Sequence, residues 1–285
     1  MAGTLYIVAT PIGNLEDITQ RALRILREVD LVACEDTRHT QKLLNHFAIE
    51  TKTISYHEHN ERERADALCS LLESGKNVAL VSDAGTPLIS DPGFRVVNAA
   101  IEKGVTIVPI PGPVALATAL AASGLPTDQF SFAGFLPPRA GARRAKLEEL
   151  AAITGTLVFY EAPHRIAATL SDALDLLGNR EAVIARELTK LHEEFARGQL
   201  TDLAERFSRE AGARGELVLM ISGATHDQQP ADLQSSSRTL AKRIEVLISE
   251  GVDAKSDLKT AARKLGLKRD EAYRLMEAQK NRRSK

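Results

Sequence analysis

Residues 77–93 read NVALVSDAGTPLISDPG and join a short apolar run to a long loop of small residues. The β-branched run at 77–83 predicts a buried strand. The loop at 82–93 is twelve residues long, whereas a connection that only turns the chain needs about two to six. It also carries the carboxylates Asp83 and Asp91. We therefore interpret it as a functional loop at the carboxyl end of a strand.

The alternation of strand and helix patterns continues on both sides of this stretch. Other β-branched runs lie at 5–10, 31–36, 51–56 and 105–110, and amphipathic helix patterns lie at 19–29, 60–74 and 94–103. This order predicts a mostly parallel sheet covered by helices, a fold that binds ligands at the carboxyl ends of its strands.

A second lobe is predicted after Pro111-Gly112-Pro113. Its strand patterns lie at 130–136, 156–162, 181–189 and 216–223, and its helix patterns at 114–123, 143–152, 164–177 and 201–211. Longer connecting segments between these strands favour a mixed sheet. We expect a two-lobed α/β protein, with a parallel N-terminal lobe at 1–112 and a mixed-sheet C-terminal lobe at 113–225.

The remaining residues differ from the two lobes in charge. Residues 226–237 are polar and without periodicity, which predicts a linker, and 238–285 has the pattern of a small helix-turn-helix-like bundle. Residues 231–285 hold 14 Lys and Arg against 8 Asp and Glu, a net charge of +6, so the other residues carry −7 of the total of −1. This asymmetry predicts a polyanion-binding domain at 238–285; a solvated basic helix pair is the alternative.

The composition excludes several classes of protein. Apolar residues make up 44% of the chain and charged residues 26%, as in ordinary soluble globular proteins. No apolar run approaches the ~18–20 residues of a membrane span, and the first residues lack the pattern of a signal peptide, so we expect a cytoplasmic protein. Cys34 and Cys69 are isolated, which fits a reducing compartment. No two glycines are spaced G-x-G, which excludes a Rossmann fingerprint.

Polar groups follow the other predicted strands. Residues 10–19, TPIGNLEDIT, predict a tight turn after the first strand, and Thr19 can cap the helix that follows. Residues 35–39 are acidic and basic, and residues 57–61 contain His57, His59 and Glu61. These three side chains could ligate a metal, but no fourth ligand is visible, so a general base, an RNA contact or a structural role is favoured over a metal site.

Seven blocks of the sequence occur in an order that resembles one family. They are TPIGNLEDIT (10–19), CEDTRHT (34–40), SDAGTPLISDPG (82–93), PIPGP (109–113), GFLPPR (134–139), FYEAPHR (159–165) and ARELTK (185–190). Together they resemble the tetrapyrrole methylase family of S-adenosylmethionine-dependent enzymes, and within it the bacterial enzymes that methylate ribose 2′-hydroxyls of 16S rRNA. That family lacks the glycine motif of the commoner methyltransferases, which agrees with the absence of G-x-G here.

The resemblance implies that S-adenosyl-L-methionine lies in the cleft between the lobes, usually in a homodimer. The residues that it implies for cofactor binding are Pro11, Ile12, Gly13, Leu15, Asp83, Ala84, Gly85, Thr86, Val114, Ala115, Phe159, Tyr160, Leu188, Glu216 and Leu217. Diphthine synthases and cobalamin-pathway methylases share the scaffold, but the sequence of their fourth-strand loop is typically more like G-D-P. The SDAGTP loop and the basic residues 238–285 favour an RNA substrate.

The implied reaction is 2′-O-methylation of a decoding-centre cytidine of 16S rRNA in the 30S subunit. Such a reaction needs alignment and removal of a weakly acidic proton. Glu35, Asp36, His57 and Glu161 are the candidate bases, and the position of Glu35 and Asp36 at a strand end favours these two. The candidate RNA contacts are Arg38, Arg139, Arg143, Arg144 and Arg165, although a solvated helix face is the alternative for those near residue 143. A tetrapyrrole methyltransferase and a non-catalytic RNA-binding protein remain as competing functions.

Overall fold

The computed structural model describes residues 2–209 and 215–224, which form two α/β lobes. The chain divides into two compact units, Met1–Gly223 and Ala224–Lys285. The predicted linker at 226–237 and the predicted basic domain at 238–285 lie outside the described residues. Those two expectations, and the boundaries given for the lobes, stay predictions.

The first lobe is built around a five-stranded parallel sheet. Its elements are β1 (Thr4–Val8), α1 (Gln20–Glu28), β2 (Leu31–Cys34), α2 (Thr37–His46), β3 (Thr53–Ser55), α3 (Glu61–Glu73), β4 (Val78–Val81), α4 (Phe94–Glu102) and β5 (Thr106–Ile110). The strand order is β3-β2-β4-β1-β5, and every pairing is parallel. All the carboxyl ends of these strands therefore meet at one edge of the sheet, as predicted.

The helix α1 shows how the sequence forms these elements. Thr19 precedes it, and its hydroxyl oxygen accepts a hydrogen bond from the Ala22 amide at 3.1 Å, which confirms the predicted cap. Ala22, Ile25 and Leu26 are buried on one face of the helix, against the strands of the sheet. The helix is held by this apolar face, since a nine-residue helix is only marginally stable alone.

The second lobe contains a mixed five-stranded sheet, as the sequence predicts. Its elements are α5 (Ala115–Ser123), β6 (Phe130–Phe135), α6 (Ala140–Leu150), β7 (Thr156–Glu161), α7 (Ile166–Leu177), β8 (Glu181–Arg186), β9 (Glu194–Gln199), α8 (Leu200–Arg209) and β10 (Leu217–Ile221). The order is β6-β7-β10-β8-β9, with β6 and β7 parallel and the other pairs antiparallel. Helix α5 packs against one face of this sheet, and α6, α7 and α8 cover the other.

The structure differs from the predicted elements in three places. Helix α2 and strand β9 were not predicted, because α2 begins within the polar residues at 35–39 and β9 is an edge strand of sequence EFARGQ. The strand predicted at 181–189 ends at Arg186, because Glu187 and Thr189 adopt the left-handed φ angles of 51° and 66°. No helix within the described ranges is long and apolar enough to cross a membrane.

Candidate functional site

A cavity of about 350 Å³ lies where the carboxyl ends of the first sheet face the second lobe. The predicted cofactor residues that line it are Ile12, Asp83, Ala84, Gly85, Thr86, Val114, Ala115, Tyr160, Leu188, Glu216 and Leu217. Both lobes thus contribute to its walls. Its volume is within the ~300–1,000 Å³ of typical small-molecule sites.

The loop after β4 forms the floor of this cavity and is tied to the neighbouring strand ends. Gly85 and Thr10 exchange backbone hydrogen bonds of 2.9 and 3.0 Å, and the Thr86 hydroxyl donates to the Pro113 carbonyl at 3.2 Å. Gly85 has a φ of 83°, and Ser90 adopts 67°. Left-handed conformations of non-glycine residues cost about 1–3 kcal/mol and cluster at functional sites. The loop is therefore held in one shape by its contacts.

Aromatic side chains form the wall from the second lobe. The Tyr160 ring meets Phe132 and Phe135 edge to face, with centroid distances of 4.8 and 5.6 Å. The Tyr160 hydroxyl oxygen accepts a hydrogen bond from the Leu116 amide at 3.3 Å, and burial raises the pKa of Tyr160. Phe159 is fully buried in the core on the other side of the sheet. Adjacent strand residues point to opposite faces, so the structure does not support a cofactor contact for Phe159.

Three other residues predicted to bind the cofactor do not line this cavity. Pro11 and Leu15 line a separate, smaller cavity. Gly13 packs against the loop after β8, where an added Cβ would stand 2.5 Å from Lys190 Cγ. The neighbouring Asn14 amide donates to the Thr189 hydroxyl at 3.1 Å, so this glycine allows the two lobes to approach closely.

The carboxylates of Glu35, Asp83 and Asp91 come together at the strand ends beside the cavity. Asp83 and Asp91 line it, and the Asp36 amide donates to Asp83 Oδ1 at 3.0 Å, which brings the exit of β2 beside Asp83. Burial, and then the charge of Asp83, raise the pKa of Glu35. Burial raises the pKa of Asp91 to about 6, with further increases from Glu35 and Asp83 and an opposing hydrogen bond from Ser82. Sequence reasoning noted Asp91 in the loop but did not predict it as a site residue.

The pKa of Asp91 predicts a pH dependence that can be measured. Asp91 is protonated more readily in the folded protein than in the unfolded chain, so the free energy of unfolding falls as the pH rises from about 4 to about 6. We expect Asp91→Asn to remove that decline. The free energy of unfolding of the variant minus that of the wild type should therefore be about 1–2 kcal/mol larger at pH 7 than at pH 3.5 in the ligand-free protein, after discounting for solvent screening. Thermal unfolding midpoints of both proteins across this range provide the test. Parallel pH profiles would contradict it.

Two of the candidate bases already have other partners. Asp36 caps helix α2, where its carboxylate accepts hydrogen bonds from the Arg38 amide at 2.8 Å and from the Arg38 guanidinium. These bonds hold the pKa of Asp36 well below its usual range. The buried Glu161 carboxylate accepts from the Thr169 hydroxyl at 2.6 Å and from the Ala162 amide at 2.8 Å. The structure does not support Asp36 or Glu161 as a free base.

The two histidines that follow β3 lie beyond the end of that strand. The strand ends at Ser55, so His57 and His59 lie in a turn, and their ring centroids are 6.0 Å apart. Glu61 accepts hydrogen bonds from the Tyr56 hydroxyl at 3.0 Å and the Gly93 amide at 3.1 Å. Within residues 2–209 and 215–224, no group of three or more His, Cys, Asp or Glu side chains has a metal-binding arrangement.

The predicted RNA-binding arginines fall into two groups. Arg38 and Arg139 are exposed. Arg143 is 6% exposed and pairs with Asp172 at 2.7 Å, and Arg144 pairs with the same carboxylate at 2.7 Å. The structure does not support an RNA contact for Arg143, because its guanidinium is buried inside the second lobe.

Arg165 is also engaged within the second lobe. Its guanidinium donates to the Leu136 carbonyl at 2.5 Å and to the Pro137 carbonyl at 3.0 Å, and it lies 3.3 Å from the Glu161 carboxylate. Its side chain is 17% exposed. These contacts fix the chain after β6, so the structure does not support a role in RNA binding for Arg165 either.

Comparison with known proteins identifies the family. The model of the tetrapyrrole (corrin/porphyrin) methylases matches residues 4–204. The chain belongs to the tetrapyrrole methylase family. It is 49% identical over 273 residues to a ribosomal RNA small subunit methyltransferase I of Halalkalibacterium halodurans, covering 96% of this chain and 94% of that one. The protein of the same name from Vibrio cholerae is 52% identical over 248 residues, covering 85% and 86%.

Solved structures of the family share the fold. The uroporphyrin III C-methyltransferase of Thermus thermophilus superposes with a TM-score of 0.55 at 20% identity, covering 77% of this chain and 97% of that one. Another structure of the Thermus thermophilus enzyme, in complex with S-adenosylhomocysteine, gives a TM-score of 0.55 at 21% identity, covering 76% and 97%. The two-lobed architecture of the tetrapyrrole methylases is thus that of the described residues.

Proposed function

We propose that this protein transfers a methyl group from S-adenosyl-L-methionine to the RNA of the small ribosomal subunit. The finer proposal is 2′-O-methylation of a decoding-centre cytidine of 16S rRNA in the 30S subunit, in the cytoplasm. The observation that carries it is the agreement between the cavity at the strand ends and relatives of 46–52% identity named ribosomal RNA small subunit methyltransferase I.

The cavity has the chemistry that this cofactor requires. Ile12, Val114 and Leu188 provide apolar walls, while Asp83 and Asp91 provide carboxylates for a ligand that carries an ammonium and a sulfonium. The bound cofactor supplies a methyl group that is already activated by the sulfonium charge. The chain contributes alignment of the acceptor and removal of its proton.

Glu35 is the proposed proton acceptor. It directly follows β2, beside the exit of β4, and it interacts electrostatically with Asp83 and Asp91, two of the acidic residues that line the cavity. Its pKa is raised by burial, which makes it a stronger base than an exposed carboxylate. Asp36 lacks this property because its carboxylate accepts a hydrogen bond from the Arg38 amide, as the cap of α2, and forms an ion pair with the Arg38 guanidinium. His57 remains the alternative base.

The basic residues 238–285 are proposed to bind the small subunit through phosphate contacts, on the evidence of their sequence alone. Removal of residues 231–285 is expected to weaken 30S binding and its dependence on salt, because net positive charge is lost. Cofactor binding should persist, because the described cavity lies within Met1–Gly223. Filter binding at several salt concentrations tests this, and unchanged binding would contradict it.

A homodimer is also proposed, and two apolar side chains support it. Phe94 and Ile101 lie two turns apart on one face of α4 and are 73% and 60% exposed. Single exposed apolar side chains are common on monomers, whereas apolar side chains grouped on one face of an element mark interaction sites. Sedimentation velocity should give the mass of a dimer; a monomer at micromolar concentration would contradict this part of the proposal.

Methylation of a tetrapyrrole is the second candidate function. Its support is that tetrapyrrole methyltransferases share the fold of this chain, and a shared fold does not identify the substrate. Calorimetry with S-adenosylmethionine, followed by methyl-transfer assays with 30S subunits and with uroporphyrinogen III, distinguishes the two. We expect cofactor binding and transfer to 30S subunits. Transfer to the porphyrinoid alone would overturn the proposed substrate, and absence of cofactor binding would favour a non-catalytic RNA-binding protein.

A further inference from the structure

A second cavity of about 170 Å³ lies beside the larger one and has no assigned role. Its lining residues are Thr10, Pro11, Leu15, His39, Lys42, Leu43 and Asp83. Asp83 also lines the larger cavity, so one carboxylate stands at the boundary between the two. A ligand in each cavity would meet at this side chain.

The exit of β1 separates the two cavities. Thr10 and Pro11 line the small cavity, whereas the next residue, Ile12, lines the large one. Thr10 is fixed by its paired backbone hydrogen bonds with Gly85, and its hydroxyl donates to the Ser82 carbonyl at 3.1 Å. The partition is therefore a rigid part of the sheet edge, and the small cavity is a distinct compartment.

Helix α2 supplies the opposite wall. His39, Lys42 and Leu43 are three and four residues apart, which places them on one face of the helix. Leu43 is partly buried, while His39 and Lys42 are exposed and stand at the mouth. In the described part of the chain Lys42 has no ion-pair partner, so its ammonium is available to an anion from outside.

The size and chemistry of the small cavity fit one nucleotide of an RNA chain. At ~30 Å³ per water molecule, its volume corresponds to about six waters, enough for a single heterocycle and too small for a tetrapyrrole macrocycle. Pro11, Leu15 and Leu43 offer apolar surfaces to the flat face of a base. Lys42 and His39 at the mouth can bind a phosphate, the most frequent contact between proteins and nucleic acids.

We propose that this small cavity is the acceptor subsite, which receives the target nucleotide of the RNA after that nucleotide leaves its stack. The base lies against Leu15 and Leu43, the phosphate contacts Lys42, and the ribose lies at Asp83, facing the cofactor cavity. Enzymes that modify a base commonly extrude the target nucleotide in this way, and we extend that principle to a ribose target. The inference rests on the proposed function and deepens it. It also reassigns Pro11 and Leu15 from the cofactor to the acceptor.

The variant Leu15→Trp tests the inference, with Leu71→Trp as its matched control. Both leucines are 37% exposed, but Leu71 lies near the carboxyl end of α3 and lines neither cavity. We expect Leu15→Trp to raise the KM for 30S subunits at least about ten-fold, equivalent to about 1.4 kcal/mol, because the indole fills the acceptor cavity. The Kd for S-adenosylmethionine from calorimetry should stay unchanged, and Leu71→Trp should leave both constants unchanged.

A second variant, Lys42→Gln, keeps the test independent of steric effects. We expect a higher KM for 30S subunits and a salt dependence of log KM that is shallower by about 0.7, the value for one phosphate contact on a single strand. An unchanged KM in both variants, while the wild-type protein methylates 30S subunits, would overturn the inference and leave the proposed function standing. A parallel loss of cofactor affinity in Leu15→Trp would also overturn it, because the cavity would then belong to the cofactor site. A wild-type protein that binds the cofactor but methylates no rRNA would overturn the proposed function itself.

Discussion

Replacing Glu35 by glutamine is expected to lower the rate of methyl transfer to 30S subunits by about 10²–10⁴-fold, the usual contribution of a general base. The amide cannot accept the proton of the ribose hydroxyl. Because Glu35 is not among the residues that line the large cavity, the Kd for S-adenosylmethionine should change little. Single-turnover kinetics with saturating cofactor measure the chemical step directly.

The same change at Asp36 separates the two neighbouring carboxylates. Asparagine caps helices about as well as aspartate, so Asp36→Asn keeps the start of α2 and removes only the charge beside Arg38. We expect a rate within a few-fold of the wild-type value. A wild-type rate in both variants would contradict the assignment of Glu35 and leave His57 as the remaining candidate. A loss confined to Asp36→Asn would also contradict it and would assign the base to Asp36.

Filling the large cavity is expected to have the second large effect. Ala115 lies in the first turn of α5 and lines the cavity, so Ala115→Phe places an aromatic ring in the space proposed for the cofactor. We expect cofactor affinity to fall by about 100-fold or more, a loss of at least about 2.7 kcal/mol, with methyl transfer lost at ordinary cofactor concentrations.

Ala121→Phe is the matched control, because Ala121 lies on the same helix and is exposed to solvent. Calorimetry should give the wild-type Kd for this control, and thermal unfolding should show both variants folded. Equal cofactor affinity in Ala115→Phe and Ala121→Phe would show that the cofactor binds elsewhere.

The repeating pattern of strands and helices was enough to predict both lobes and the edge at which the site lies. The buried strands β4 and β1 are unambiguous in the sequence, and the carboxyl ends of parallel strands must meet. The loop at 82–93 was recognised because it is longer than a turn requires. These inferences depend on local pattern and on general rules of sheet topology, and the structure confirms both lobes.

The side chains that enter the site were harder to predict, because their directions depend on exact register. Phe159 and Tyr160 both belong to β7, yet only Tyr160 reaches the cavity. Because side chains alternate along a strand, only one of these two residues can face the cavity, but the sequence alone does not show which of them faces the other lobe. Sequence proximity was equally misleading for Arg143, since its partner Asp172 is 29 residues away on another helix.

The small cavity could not be foreseen for a similar reason. It requires the exit of β1 to lie beside one face of α2, and α2 itself was not predicted. Its start is encoded by the cap at Asp36, but the polar residues at 37–42 obscure the helix period. A search for a capping residue at the end of each predicted strand would have found it.

The central claim is that the large cavity holds S-adenosylmethionine for methylation of small-subunit rRNA. Its most direct test is mass-spectrometric mapping of ribose methylation in 16S rRNA, using 30S subunits that lack the modification, incubated with cofactor and either the wild-type chain or Ala115→Phe. We predict one new 2′-O-methylcytidine in the decoding centre with the wild-type chain and none with Ala115→Phe. No new ribose methylation with the wild-type chain, or equal methylation by both, would contradict the account.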